Sequence, residues 1–225
     1  MDNTVPVVTI DGPSGSGKGT VASRVATALN YHLLDSGAIY RAAALSALNH
    51  AVNLGEEAAV LASVEQMSTS FEPGPDGVRV VLEGVDVTDE LRSERTASAA
   101  SRIATMPAVR TELLQYQRDF RRLPGLVADG RDMGTVVFPD ARYKFFLTAS
   151  AEERAERRYN QLNKKDLQVT MESLLQEIKR RDERDSTRKT APLLPAKDAL
   201  VVDSTGISID DVVETLLSKI HNFAS

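Results

Sequence analysis

A glycine-rich stretch near the start of the chain has the residue types and spacing of a phosphate-binding loop. Its glycines at positions 12, 15 and 17 allow left-handed backbone conformations and close approach to an anion, so that consecutive N–H groups point inward. Lys18 adds a positive charge suited to the β- and γ-phosphates of a nucleoside triphosphate. The residues predicted to bind it are Gly12, Pro13, Ser14, Gly15, Ser16, Gly17, Lys18, Gly19 and Thr20.

The sequence on either side of this loop supports the interpretation. An apolar run at residues 7–10 precedes it, and Val21, Val25, Ala28 and Leu29 then recur at helical spacing. A strand followed by a helix places the positive helix N-terminus beside the bound phosphates. A simple turn between strand and helix is the alternative, and the context argues against it.

One position departs from the general pattern. Ser or Thr usually follows the lysine directly and binds Mg²⁺, whereas here Gly19 intervenes and the hydroxyl belongs to Thr20. Thr20 is therefore the predicted metal contact, with water-mediated contacts around it. This variant favours a small-molecule kinase over a switch-type GTPase. An N-K-x-D motif of guanine recognition occurs at residues 163–166, but it follows a polar helical stretch, so chance explains it better.

Arginines that could neutralise phosphates occur in four places. Phosphoryl transfer depends on positioning and charge neutralisation, so a kinase needs such residues. The candidates are Arg41, Arg110, Arg131 and a charged run at residues 180–188, in which Arg181, Asp185 and Arg188 share one helical face by their spacing. Those last three also fit an ordinary surface ion-pair ladder, and Arg41 and Arg110 also fit helix surfaces.

Two further polar groups directly follow strand candidates. Asp129, Arg131 and Asp132 come after the apolar residues 126–128, and Asp35 and Ser36 come after residues 32–34. Open α/β sheets bind ligands at the carboxyl ends of their strands, which predicts a functional role for both groups. For Asp35, a helix N-cap is an alternative that is compatible with ligand contact.

These residues need a scaffold whose strands end at a common edge. Short apolar runs alternate with helical patterns, which predicts an α/β fold with a parallel sheet covered on both faces. The strand candidates are residues 7–10, 32–34, 126–128, 143–147 and 200–202. Ser208 and Asp211 have capping-box spacing and open a C-terminal helix. The loop at residues 203–206 is where we expect contacts with adenine.

Two segments do not fit the alternating scheme. Residues 71–88 hold a Pro/Gly-rich stretch and two apolar runs around Glu83-Gly84, which predicts a small antiparallel hairpin within an insert. Residues 151–189 are dense in both charges and poor in large apolar residues, which predicts largely solvated helices. We expect both segments to be movable appendages of the core.

Composition narrows the class of protein. The chain has 225 residues, 42% of them hydrophobic, a formal net charge of −5 and no cysteine. The length suits one core with inserts, and the negative charge argues against general nucleic-acid binding. Without cysteine there is neither a disulfide scaffold nor a thiol nucleophile. No run approaches 18 apolar residues and no signal pattern opens the chain, so we expect a cytoplasmic protein that does not associate with membranes.

Taken together, these motifs resemble the bacterial cytidylate kinases, which belong to the nucleoside monophosphate kinase family of P-loop kinases. The resemblance covers essentially the whole chain. The matching segments are residues 12–20, 35–41, 127–135 and 180–185, together with the Pro/Gly-rich hairpin insert. The phosphate loop alone would indicate only the superfamily, and its combination with the other segments makes the match specific.

The resemblance implies an activity and a division of the chain. The γ-phosphoryl group of ATP would pass to CMP or dCMP, giving CDP or dCDP and ADP, with Mg²⁺ required. A three-layer α/β/α P-loop core with a five-stranded parallel sheet would comprise residues 1–37, 103–150 and 189–225. A monophosphate-binding insert would span residues 38–102 and a helical lid residues 151–188. The expected partners are ATP and CMP or dCMP, bound by a monomer.

The resemblance also implies roles for single residues, each of which has the residue type that the family uses. Ser36, Arg110 and Asp132 would read the cytosine base. Ser101, Arg181 and Asp185 would contact the pentose, and Arg41, Arg131 and Arg188 would surround the phosphates. The expected catalytic residues are Lys18, Asp129, Arg131, Arg181 and Arg188. From its place after a buried strand, Asp129 is expected to orient Mg²⁺-bound water or an acceptor-side arginine.

The chemistry of the base supports CMP or dCMP over UMP. Cytosine offers an amino donor at N4 and acceptors at N3 and O2, so Asp132 can accept while Arg110 donates. Uracil reverses the pattern, and each unpaired buried group would cost about 1–3 kcal/mol. Two alternatives stay open: a P-loop kinase for another small acceptor, such as UMP, AMP or a metabolite hydroxyl, and a nucleotide-binding switch module.

Overall fold

The computed structural model describes residues 5–74, 77–163 and 169–222. The strands are β1 (Val7–Asp11), β2 (His32–Asp35), β3 (Thr69–Gly74), β4 (Gly77–Leu82), β5 (Val85–Asp86), β6 (Leu126–Gly130), β7 (Tyr143–Thr148) and β8 (Leu200–Asp203). The helices are α1 (Lys18–Leu29), α2 (Ser36–Asn49), α3 (Glu57–Glu65), α4 (Glu94–Ile103), α5 (Pro107–Arg118), α6 (Ala151–Asn163), α7 (Met171–Thr187) and α8 (Ile209–Asn222). A π-helical turn spans Met133–Val137.

Within the described residues, five strands form one parallel sheet in the order β2-β6-β1-β7-β8. This confirms the predicted α/β fold, and each strand candidate corresponds to one of these strands. The central strand β1 is buried along its whole length, as expected for a parallel strand covered on both faces. Its last residue, Asp11, pairs with Gly130 of β6 and with Phe146 of β7. The phosphate loop therefore leaves the sheet from its central strand.

Helices α1 and α8 pack their apolar faces with this sheet. The shared core includes Ile10 of β1, Val25 of α1, Phe145 of β7 and Leu216 of α8. The predicted helix is confirmed as α1, in which Val21 and Val25 are buried and Ala28 is exposed. The buried stripe is centred between Ala22 and Val25, and at about 100° per residue Ala28 lies about 90° from that centre. The predicted N-cap of α8 is confirmed, because Ser208 Oγ accepts a hydrogen bond from the Asp211 amide.

The chain forms two compact units, one containing the five-stranded sheet and the other consisting of Asp35–Asp119. The second unit contains α2 to α5 and, over its described part, a three-stranded antiparallel sheet in the order β3-β4-β5. Glu83 and Gly84 both have positive φ, 52° and 81°, as in the type I′ turns that favour tight hairpins. The predicted hairpin is confirmed, and β3 is an additional strand that the sequence analysis did not anticipate. Residues 75–76 of the Pro/Gly-rich stretch lie outside the described residues.

The charge-rich segment after β7 is helical, as predicted, and forms α6 and α7. These two helices are not simply solvated, because Ala155, Leu162, Leu174 and Ile178 form a small buried cluster between them. Most of the N-K-x-D motif, residues 164–166, lies outside the described part of the chain. No helix among the described residues is long and apolar enough to cross a membrane.

Candidate active site

The phosphate loop has the backbone geometry that its glycines predict. Gly12, Gly15 and Gly17 have φ values of 154°, 79° and 88°. A Cβ atom at Gly12 would lie 2.0 Å from the carbonyl oxygen of Leu147, so only glycine fits where the loop leaves the sheet. Gly17 is the N-cap of α1, which places the amides at that helix N-terminus next to the loop. This arrangement suits an anion.

Lys18 is held inside the phosphate loop. It is the first residue of α1 and is buried, and its Nζ donates a hydrogen bond of 2.9 Å to the Pro13 carbonyl. Ser16 Oγ donates to the same carbonyl at 3.1 Å. The ammonium group is thus placed over the loop, where it can pair with phosphate oxygens.

The position of the Asp129 carboxylate favours glycine at position 19, directly after Lys18. Its carboxylate oxygen Oδ2 lies 3.3 Å from the position that a Cβ atom would take at Gly19. A serine or threonine there would crowd this carboxylate, whereas glycine leaves room for it. Asp129 is only 8% exposed. A buried carboxylate at the end of β6 therefore lies against the first turn of α1.

Asp11 connects the phosphate-loop strand to the segment after β6. Its two carboxylate oxygens accept hydrogen bonds of 2.8 Å each from the amides of Met133 and Gly134, which begin the π-helical turn. The pKa of Asp11 is raised to about 7, chiefly because burial disfavours the charged carboxylate. The two amide hydrogen bonds lower this pKa, and the nearby carboxylates of Asp132 and Asp129 raise it. Asp11 is a candidate positioning residue that the sequence analysis did not select.

Buried Asp185 forms an ion pair with Arg131, which is partly buried. The Arg131 Nε atom lies 3.0 Å from the Asp185 Oδ2 atom, and Asp185 is 6% exposed. The ion pair joins the loop after β6 to helix α7. The surface-ladder alternative for Asp185 is therefore wrong, because this carboxylate is buried and pairs with Arg131 instead of facing solvent.

Arg188 lies outside helix α7, so the prediction that it shares one helical face with Arg181 and Asp185 is wrong. The helix ends at Thr187, and Arg188 has an extended backbone with ψ of 138°. This change of backbone direction brings the Arg188 side chain to the segment after β6. There its Nη2 atom lies 3.9 Å from Asp132 Oδ1, and both side chains are buried. Arg181 remains in the helix, four residues before Asp185.

The second unit holds its own set of predicted residues at the start of α2. Asp35 is the N-cap of this helix and accepts a hydrogen bond of 2.8 Å from the Ala38 amide, which confirms the capping alternative. Its other oxygen pairs with Arg41 Nη2 at 3.0 Å. Ser36 is buried and donates a hydrogen bond of 2.7 Å to Gln117 of α5.

Arg110 and Ser101 are buried polar residues of the same unit. The Arg110 guanidinium lies 5.9 Å from the centre of the Tyr40 ring, and its Nη1 donates to the Ala104 carbonyl at 3.3 Å. Arg110 is therefore not the helix-surface residue of the alternative interpretation. The Ser101 hydroxyl is buried and makes no hydrogen bond to any described residue. Buried hydroxyls usually have a partner, so this one is available to a ligand.

The loop after β8 is connected to the phosphate loop by hydrogen bonds. Buried Ser204 donates to the Ser16 carbonyl at 3.3 Å. Arg157 of α6 donates to the Ser16 carbonyl at 3.3 Å and to the Ser204 carbonyl at 2.7 Å. The loop in which adenine contacts were expected is thus anchored to the phosphate loop. Arg157 and its neighbour Arg154 were missed by sequence reasoning, because nothing in their local pattern distinguishes them from solvated arginines.

The oxygen donors near the phosphate loop suit a Mg²⁺ ion that is bound partly by water and substrate phosphates. They do not form a site in which protein side chains alone would hold the metal. Among the described residues, no three His, Cys, Asp or Glu side chains are grouped so that they could hold a metal ion by themselves. Mg²⁺ keeps several waters and is usually bound through one or two protein oxygens and substrate phosphates. Asp129, together with Thr20 in the first turn of α1, provides donors of this kind.

The fold and this site define a P-loop kinase. A central parallel strand leads into a phosphate loop at a helix N-terminus, and a partly buried arginine and a buried aspartate follow the adjacent strand. The sequence profile of the family described as cytidylate kinase matches residues 8–222. The chain belongs to the cytidylate kinase family.

Individual relatives agree with the family match. The chain is 56% identical to a cytidylate kinase of Aeromonas hydrophila over 218 residues, which are 97% of this chain and 95% of that protein. It is 56% identical to one of Pseudomonas aeruginosa over 219 residues, 96% of each chain. A cytidylate kinase of Shewanella pealeana is 52% identical over 223 residues, 98% of this chain and 97% of the relative.

A solved structure shares the fold. It is the crystal structure of an uncharacterized protein from Eubacterium ventriosum, with a TM-score of 0.53 over 96% of this chain and 98% of that one. At 11% sequence identity the similarity concerns the fold alone.

Proposed function

We propose that Lys18, Asp129, Arg131, Arg181 and Arg188 position and neutralise the phosphates in the reaction of this chain. As a member of the cytidylate kinase family, the chain transfers the γ-phosphoryl group of ATP to CMP or dCMP and forms ADP with CDP or dCDP. The observation that carries the assignment is the pairing of Asp11 with Gly130, because the phosphate loop and Arg131 then follow adjacent strands at the same sheet edge.

The proposed mechanism needs no strong general base, because the attacking group is a phosphate oxygen that is already ionised. Catalysis then consists of holding donor and acceptor in line and stabilising the charge of a loose transition state. Lys18 would act on the donor phosphates. Arg131, whose guanidinium orientation is set by Asp185, would act on the transferred group. Such preorganised charges are effective because they need little rearrangement during the reaction.

Mg²⁺ is the proposed cofactor. Thr20 and Asp129 would hold it, directly or through water, together with the phosphates of ATP. When bound, the ion neutralises phosphate charge and orients the donor. Asp129 has the burial and the proximity to Gly19 that such a role requires.

The acceptor nucleoside is proposed to be recognised by buried polar side chains. Ser36, Arg110 and Asp132 are assigned to the cytosine base, and all three are buried. Ser101, Arg181 and Asp185 are assigned to the pentose, and Arg41 is assigned to the acceptor phosphate together with Arg131 and Arg188. The buried Ser101 hydroxyl, which has no partner among the described residues, supports a contact with a sugar hydroxyl.

A panel of acceptors tests the proposed substrate range. ADP release from ATP is measured with CMP, dCMP, UMP, AMP and glycerol, the last as a simple hydroxyl acceptor. CMP and dCMP should give the highest kcat/KM. Preference for UMP, AMP or glycerol would favour a kinase for another acceptor, and tight ATP binding without transfer to any of them would favour a switch module.

Replacing Asp132 tests the assignment of the base. Asp132→Ala removes the acceptor for the cytosine amino group, so the ratio of kcat/KM for CMP to that for UMP should fall by about 10- to 100-fold. Asp198→Ala, which removes an exposed partner of Lys144, is the control and should leave the ratio unchanged. An unchanged ratio in Asp132→Ala would show that another residue reads the base.

The remaining partner assignments are also proposals. We infer a monomer that works in the cytoplasm, where ATP and nucleoside monophosphates are available, and that has no nucleic-acid partner. The net charge of −5 supports the last point, because nonspecific nucleic-acid binding depends on basic surfaces. Light scattering during size-exclusion chromatography measures the oligomeric state.

A further inference from the structure

Helix α6 carries a buried arginine to which no role has yet been given. Arg154 is 4% exposed, although arginines usually keep their charged end in water. Its Nη1 donates hydrogen bonds of 3.0 Å both to the Ser14 carbonyl and to Asp182 Oδ1. Its Nη2 donates to Asp182 Oδ2 at 2.5 Å. One guanidinium therefore contacts the phosphate loop and, through a two-pronged ion pair, helix α7. We call these three groups the Arg154 bridge.

The Arg154 side chain is also held by backbone carbonyls next to the start of its own helix. Its Nε donates to the carbonyls of Ala149 and Ser150, at 3.0 and 3.3 Å, just before and at the start of α6. With all its nitrogens engaged, the guanidinium has little freedom to follow only one partner. A displacement of Asp182 must therefore move the contact with Ser14 or break it.

The phosphate loop packs directly on this arginine. A Cβ atom at Gly15 would lie 3.2 Å from the Arg154 Cβ atom and 3.5 Å from its carbonyl oxygen. The Ser14 carbonyl and the Gly15 amide belong to one peptide group, so the hydrogen bond from Arg154 sets the orientation of that amide. Loop amides bind phosphate only when they point inward, which makes this orientation relevant to ATP.

Helix α7 connects the bridge to residues assigned to the acceptor. Asp182 follows Arg181 directly, and Asp185 lies three residues further on and holds Arg131 at 3.0 Å. A change in the position of α7 at Asp182 therefore also changes the position of Asp185. The phosphate loop and the Arg131–Asp185 pair are in this way supported by the same helix.

We propose that Arg154 is a positioning residue that couples ATP binding to acceptor binding through Asp182. Occupation of the phosphate loop would hold Ser14 and Arg154 in place, and Arg154 would in turn hold α7 in the arrangement that binds CMP. Because coupling is reciprocal, CMP would strengthen ATP binding by the same factor. The inference rests on the assignment of residues 12–20 to ATP.

Two substitutions break the bridge and one serves as a matched control. Asp182→Asn keeps the shape and removes the charge, and Arg154→Lys keeps the charge and removes the planar two-pronged contact. Glu152→Gln breaks a different ion pair between the same two helices, in which Lys179 and Glu152 lie 3.4 Å apart and are 58% and 67% exposed. Such exposed pairs contribute little.

The readout is the dissociation constant of CMP, measured by calorimetry with and without saturating AMP-PNP, a non-hydrolysable ATP analogue, and Mg²⁺. In the wild type and in Glu152→Gln the analogue should tighten CMP binding at least about fivefold, within the usual range of coupling between sites. In Asp182→Asn and Arg154→Lys this factor should fall below about twofold, while CMP binding without the analogue changes less than about twofold. A merely structural role would weaken both measurements together.

Several outcomes would overturn the proposal. The wild type could show no tightening of CMP binding by AMP-PNP, or the bridge variants could keep the wild-type tightening. The control Glu152→Gln could lose the tightening as well, or the bridge variants could lose CMP binding even without the analogue. If Asp182→Asn does not fold, the result for Arg154→Lys decides. A wild type that phosphorylates CMP but shows no coupling would overturn only the bridge, whereas failure to bind the analogue at all would overturn the assignment of the phosphate loop.

Discussion

At the scale of single residues, the site depends on charged side chains that are buried or partly buried and have charged or hydrogen-bonding partners. Burying a charge is costly unless another charge or several hydrogen bonds compensate it. Arg131 and Asp185 compensate each other, and Arg154 has Asp182. Asp129 is buried beside Gly19, where its oxygens lie next to the phosphate loop. Buried charges of this kind are expected to serve catalysis, because they act in surroundings with little water.

Removing the charge of Asp129 tests its role. Asp129→Asn keeps the shape of the side chain, so substrate binding should be largely preserved, and kcat should fall by about 100-fold or more while both KM values change by less than about threefold. Steady-state kinetics in ATP and CMP measures both effects. Asp140→Asn, which removes an exposed partner of Arg121, should leave kcat unchanged. A change mainly in KM would instead assign Asp129 to substrate binding.

At the scale of elements, the ends of strands and helices place the functional side chains. Asp35 ends β2 and caps α2, so one carboxylate stabilises the helix and also holds Arg41. The end of α7 separates residues that the sequence places on one helical face. The helix ends at Thr187, so Arg188 does not share a face with Arg181 and Asp185. The capping residue was recognisable in the sequence because an N-cap is a local interaction. The end of α7 was not, since no glycine or proline marks it.

Two substitutions of Asp35 separate its two functions. Asp35→Ala removes both the cap and the partner of Arg41, so the free energy of unfolding should fall by about 1 kcal/mol and the KM for CMP should rise. Asp35→Asn retains capping ability but not the charge, so stability should stay close to that of the wild type while the KM still rises. Urea unfolding and steady-state kinetics measure the two effects. Equal stability of all three proteins would contradict the capping role.

At the scale of the whole molecule, the central strand joins stability to the site. β1 lies in the middle of the sheet, and its last residue, Asp11, accepts two amide hydrogen bonds from the turn after β6. Because burial raises the pKa of Asp11 to about 7, the folded chain retains a proton that the unfolded chain releases above about pH 4. Folding is therefore favoured by this group at low pH, and that contribution is lost as the pH rises towards 7.

The pH dependence of unfolding tests this conclusion. Wild type should lose stability relative to Asp11→Asn as the pH rises from 5 to 7, by up to about 1.4 kcal/mol per pH unit. Urea unfolding at several pH values with EDTA present measures the difference. Asp86→Asn is the control: hydrogen bonds from Thr88 and Arg79 lower the pKa of Asp86 to about 2, so its difference from wild type should not change over this range. A constant difference for Asp11→Asn would show that Asp11 does not titrate there.

Much of the fold could be predicted because it follows from local patterns. The five sheet strands are short apolar runs, the hairpin has Glu83-Gly84 at its turn, and the phosphate loop combines a motif with a strand and a helix. Strand β3 of the small sheet was not predicted, because Thr69–Gly74 lacks a clear alternation of apolar and polar residues. It becomes a strand by pairing with β4. Asp11 was not selected either, although a carboxylate at the end of a buried strand was visible.

The phosphate loop, the strand and helix patterns and the family could be identified from the sequence, because these features depend on residues that are neighbours along the chain. The contacts between distant residues could be seen only in the folded chain: Asp129 lies beside Gly19, Arg131 pairs with Asp185, and Arg154 contacts both Ser14 and Asp182. Strand order and helix packing bring together groups that are more than 25 residues apart along the chain. A charged residue also has the same local sequence pattern whether its side chain ends in solvent or in an ion pair shielded from it.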